Sequence, residues 1–133
     1  MQDLDAFGFV PSVGAWRPIE TQPDVSRDRL VLVTYDVWFD EFLWREGFAA
    51  LLGIVRDCDP DLIALQEVTP RHLQVLLSDS WVRREFRLSD ITGETLQPHG
   101  VLMLARVPLR GLGLRALPSN EDRKLLVAEL GLG

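Results

Sequence analysis

The chain has 133 residues, 47% of them hydrophobic and 26% charged, which excludes a disordered segment and allows one ordinary core. Its formal charge of −6 argues against broad capture of nucleic acid, which needs clustered Lys and Arg to release counterions. A single cysteine rules out an internal disulfide, so a reducing compartment is expected. The N-terminal MQDLDAFGFV carries acids where a secretory signal has bases, and no apolar run approaches the roughly 18 residues of a membrane span. The expectation is a cytoplasmic protein (nuclear in a eukaryote), not secreted and without a membrane partner.

Residues 1–29 contain Pro11, Pro18 and Pro23 and no steady period, and read as an irregular lead-in with Phe9 and Trp16 pinned on the body. Leu30 to Thr34 is apolar and β-branched, the mark of a strand covered on both faces. Asp40 is placed to cap a helix, with Glu41 at its positive end. Trp44, Phe48, Leu51, Leu52 and Val55 then form one helical stripe that ends near Arg56. Cys58, following that stripe, reads as a small buried hydrophobe. Asp59-Pro60 stops the helix, since a residue before proline avoids the helical region. Leu62 to Leu65 is a second buried strand, which a helical crossover makes parallel to the first.

Thr69-Pro70 opens a short helix to about Leu77, with His72 on its surface. Trp81 to Leu88 alternates imperfectly and suggests a strand; its Arg83, Arg84 and Arg87 read as a solvated face rather than a nucleic-acid contact. Asp90 to His99 is rich in turn formers. Val101 to Ala105 is a third apolar strand, Gly111 to Leu117 a weaker candidate, and Lys124 to Leu130 a further strand. Two helices cover one sheet face only, and each large apolar side chain left in water forfeits roughly 1.5–3 kcal/mol. Something is therefore expected on the other face: a second sheet missing from these residues, a partner, self-association, or the N-terminal segment.

Two of the strands end on a carboxylate, Asp36 and Glu67, an economical beginning for a metal site. The segments VTYDVWF, DPDLIALQEVTP, HGVLMLARVP and RKLLVAEL, in this order, resemble the endonuclease/exonuclease/phosphatase superfamily of DNase I-like phosphoesterases. Within it they are most similar to the branch containing tyrosyl-DNA phosphodiesterase 2. The resemblance spans residues 30 to 130. It implies an α/β fold: the N-terminal half, over 30–133, of a DNase I-like αββα sandwich, with one mixed sheet, helices on one face, and the second sheet largely missing. It implies Mg²⁺-dependent phosphoester hydrolysis, Mn²⁺ being the other admissible ion, on a phosphoester substrate that includes nucleic acid among its candidates.

By the same resemblance Glu67 is the metal ligand, and Gln66 helps hold the site. Asp36 stands where the family usually has asparagine in a TYN or TWN motif. An ionised aspartate accepts hydrogen bonds but cannot donate one to phosphate, so this position departs from the pattern. Arg123 falls on a basic position that contacts substrate phosphate, since guanidinium matches phosphate oxygens bidentately. His99 falls near substrate-side residues. The family's later SH, GDxN and SDH motifs do not occur in these 133 residues, so inactivity of this chain alone is expected. The alternative is a truncated or degenerate member that serves as a binding module. A nucleotide-binding strand–helix–strand is a third reading, weakened because VWFDEF has no glycine to bring backbone amides onto a phosphate.

Overall fold

The computed structural model describes residues 1–133 except 21, 39–40 and 119–122. Its strands are β1 (Gln2–Leu4), β2 (Phe7–Val10), β3 (Ala15–Pro18), β4 (Leu32–Asp36), β5 (Leu62–Val68), β6 (Arg87–Leu88), β7 (Gly100–Ala105), β8 (Leu109–Ala116) and β9 (Lys124–Leu130). Helices α1 (Trp44–Asp57), α2 (Pro70–Ser78) and α3 (Ser80–Glu85) and a 3₁₀ turn (Glu94–Leu96) complete it. Six strands form one mixed sheet in the order β3-β2-β6-β7-β5-β4; the other three form a second sheet, β1-β8-β9. This is the mixed α/β architecture of a partial DNase I-like fold, with three strands present in the second sheet.

The strand–helix–strand unit is as expected: β4 runs parallel to β5, Val33 beside Ile63 and Tyr35 beside Leu65. Ile63 and Leu65 lie opposite Leu104 and Leu102 of antiparallel β7, so all four side chains share one face. That face meets Phe48, Leu51 and Val55 of α1, Leu73 and Leu76 of α2, and Trp81 and Val82 of α3, a continuous core. Thr69 caps α2 with Pro70 in its first turn, as the sequence indicates. Trp16 donates its indole N–H to the Leu77 carbonyl at 3.1 Å, and Phe9 packs edge-on against Trp16.

Several expectations are corrected. Residues 1–29 hold three strands, because Phe7–Val10 and Ala15–Pro18 form a hairpin whose turn is enabled by Gly14 at φ 72°. Trp81 to Leu88 is mainly a helix: Asp79 caps it by accepting from the Val82 N–H at 3.0 Å, and Trp81 and Val82 are buried against the core. Only Arg87–Leu88 is strand. The apolar run of β4 is not covered on both faces, because β4 is the edge of its sheet and Leu32 is 60% exposed. Cys58 is exposed, lying just past the last turn of α1. The proposed cap Asp40 lies outside the described residues; the residue that precedes α1 is Leu43 at φ 65°, and Glu41 pairs with Arg71 at 3.1 Å.

Candidate functional site

The site forms where β5 breaks its own alternation. Ile63 and Leu65 point into the core, and strict period two would send residue 67 after them. Instead β5 places two residues, Gln66 and Glu67, between Leu65 and Val68 where β7 places one, Val101, between Leu102 and Gly100. The extra residue is Glu67, at φ 60°, a conformation that costs a side-chain-bearing residue of order 1–3 kcal/mol. The bulge lets Val68 return to the core, fully buried, and leaves Gln66 and Glu67 both facing a pocket.

That pocket, about 260 Å³, is lined by Gln66, Glu67, His99, Gly100, Val101, Leu114, Leu117, Arg123 and Lys124. β5 contributes the acid and the amide, and the residue before β7 the imidazole; β8, β9 and the residues next to them contribute Leu114, Leu117 and both cations. Glu67 and His99 are partly exposed, with Nδ1 3.4 Å from Oε2, a charge pair whenever the imidazole is protonated. Gln66 donates its amide nitrogen to Thr34 Oγ1 at 2.8 Å and the Ala64 carbonyl at 3.1 Å, which turns its oxygen into the group it can offer the pocket. The Leu117 N–H bonds the Arg123 carbonyl at 2.9 Å, fixing the backbone that presents Arg123 and Lys124.

Asp36 sits beside Gln66 in the parallel register, one strand away from Glu67. It is outside the pocket lining, and its Oδ1 accepts the Trp38 N–H at 2.9 Å. Four of the sequence candidates, Gln66, Glu67, His99 and Arg123, thus share a pocket, and Asp36 lies outside its lining, paired with Gln66. Lys124 was missed, although its place beside Arg123 ahead of an apolar strand was a readable signal. Arg83 donates to the Leu77 carbonyl at 2.7 Å and covers the Phe9 ring, while Arg87 donates to the Arg106 carbonyl at 3.1 Å and to Gln22. Trp81 and Phe86 are buried, so that segment offers no ring for a base to stack on.

His72 is not a surface residue. It is 4% exposed, its Nδ1 accepts the Thr69 N–H at 3.1 Å, and its ring meets Trp44 and Phe48 edge-on. Burial, and then the neighbouring Arg71 charge, hold its pKa below 6.5. It is a capping residue and has no access to the pocket.

Among the described residues no three His, Cys, Asp or Glu side chains cluster as a metal centre. Mg²⁺ takes hard oxygens and commonly keeps several waters beside one or two carboxylates. The Glu67 carboxylate with the Gln66 oxygen fits one side of such a shell.

A model of the endonuclease/exonuclease/phosphatase family matches residues 33–132, from the first strand of the parallel pair to the end of the chain. The protein belongs to this family. No curated protein matches the chain. At the family level it is a phosphoesterase-type hydrolase, from a family whose enzymes generally use divalent metals. The matched span contains the bulge at Glu67 and every lining residue of the pocket. Among the described residues, no helix is long and apolar enough to cross a membrane.

Proposed function

We propose that the Glu67 pocket is the phosphoester site of a Mg²⁺- or Mn²⁺-dependent hydrolase, on phosphodiesters or phosphomonoesters, nearest in type to the tyrosyl-DNA phosphodiesterase 2 branch. The observation that carries the reading is the meeting of a strained carboxylate on β5 with two cations at the start of β9 around a single cavity. Glu67 would hold the ion, with Gln66 beside it. When bound, such an ion neutralises phosphate charge and lowers the pKa of its water. Arg123 grips two phosphate oxygens through its planar fork, and Lys124 adds a point charge. His99 stands on the substrate side, next to Glu67. Asp36, on the neighbouring strand, adds negative charge where asparagine would add a donor; this strengthens cation retention and weakens phosphate approach.

These 133 residues bind but do not turn over. Water attack needs a general base; His72 is buried as a cap, and the resemblance puts neither His72 nor His99 at the family's catalytic position. Calorimetric titration with Mg²⁺ and a chromogenic phosphodiester, with hydrolysis followed in parallel, tests both claims. Binding of Mg²⁺ that Glu67→Gln abolishes is expected. Mg²⁺-dependent turnover lost in that variant would overturn the inactivity, and Mg²⁺ binding indifferent to it would overturn the assignment of Glu67.

The second reading is a non-catalytic interaction module, favoured by apolar side chains left in solvent on β4 and β9: Leu32, Tyr35, Leu125 and Val127. Self-association through these strands predicts a mass that rises with concentration; a monomer at every concentration sinks it.

A further inference from the structure

We propose that Asp90 is a positioning residue for the pocket: through the loop it ties together, it holds His99 against Glu67. The inference rests on the reading of that pocket as the phosphoester site. Asp90 is 4% exposed and follows Ser89, which is clamped to β7 by two bonds to Met103, at 3.1 and 3.0 Å. Its Oδ1 accepts the N–H groups of Thr92 and Gly93 at 2.8 and 2.9 Å and the Thr92 hydroxyl at 3.3 Å. Its Oδ2 accepts the Thr95 N–H at 2.8 Å and hydroxyl at 2.6 Å. One carboxylate thereby fixes residues 92–95 from both oxygens.

The fixed loop meets the site at one end and the start of α2, just past the Glu67 bulge, at the other. The Thr95 carbonyl oxygen lies 2.6 Å from where a Cβ on Gly100 would stand, so the loop presses on the strand start that follows His99. At the other side, the Cα region of Gly93 lies against Pro70, three residues past Glu67, at 3.6 Å for a built Cβ. Leu96 is fully buried between these contacts. His99 and the Glu67 bulge are therefore held to the same small loop, whose shape depends on Asp90. Burial alone would raise the Asp90 carboxyl, but the Thr95 hydroxyl and the three N–H groups outweigh it and keep it below 3.8, so it remains an anion that only accepts.

The chain has two histidines, so one spectrum carries both the test and its control. In the isotope-labelled full chain, nuclear Overhauser contacts are measured from the His99 ring to the Glu67 methylenes and from the His72 ring to Phe48, whose centroids lie 4.9 Å apart. Asp90→Asn is expected to erase the first contact and leave the second. Thr95→Val, which removes a single bond, is expected to weaken the His99 contact, and Thr95→Ser to restore it; this series decides the matter should Asp90→Asn fail to fold. A His99–Glu67 contact unchanged in a folded Asp90 or Thr95→Val variant overturns the proposal. Equal loss of both contacts also overturns it, because Asp90 would then serve the fold as a whole. Absence of the His99–Glu67 contact from the unaltered chain would instead count against the pocket reading itself.

Discussion

The two faces of the six-stranded sheet follow different rules. On the helical face Ile63, Leu65, Leu102 and Leu104 alternate without interruption against three helices, and all four are at most 2% exposed. On the opposite face the alternation ends in polar residues, Thr34, Asp36, Gln66 and Glu67, and the edge side chain of Leu32 is largely in water. The first face holds the molecule together; the second carries the residues of the proposed site. The join between them is the single extra residue at Glu67, which lets one strand serve both faces.

The contrast can be broken most severely from the helical side. Phe48→Ala leaves a cavity in the core beside His72 and should destabilise the fold by about 3–5 kcal/mol in denaturant titration, because a packed core cannot collapse fully into the gap. Next in size is Glu67→Gly. It relieves a left-handed conformation and should raise stability by about 1 kcal/mol while removing the pocket carboxylate, so stability and Mg²⁺ binding move in opposite directions. A loss of stability would show that φ at this position is not strained.

A smaller effect follows from His72. The unfolded chain takes up this proton near 6.5, the folded chain only at lower pH, so the unfolded state binds more protons between the two values. Stability from this group is full above 6.5 and declines as pH falls below it. His72→Asn, whose Oδ1 can replace Nδ1 as acceptor for the Thr69 N–H, should flatten that slope in melts taken across the range. Least of all, Leu32→Ser at the exposed edge should change stability by no more than about 0.5 kcal/mol. A larger loss would mean that the open face is covered in solution.

What the sequence disclosed follows the same division. The parallel unit β4–α1–β5 was legible because its apolar residues repeat at strand and helix periods, and the stop at Asp59-Pro60 is local chemistry. The bulge also left a trace: Gln66 and Glu67 are polar and Val68 apolar, a one-residue slip in phase that period counting can detect. The burial of His72 was not legible, because it depends on α2 packing against Trp44 and Phe48 of another helix. The exposure of Cys58 escaped for the converse reason: its helical stripe is buried, but the residue falls just beyond the last covered turn. The convergence of Glu67 with Lys124 joins two sheets, a relation that no local pattern carries.

The Asp90 cage has a consequence for motion. Loop amides ordinarily exchange with solvent through small, frequent openings. Those of Thr92, Gly93 and Thr95 share one buried acceptor, so releasing them for exchange requires the carboxylate to let go. Their hydrogen exchange should therefore be slow for a loop, and alike at all three positions. In that sense the stretch that carries His99 behaves as part of the rigid body.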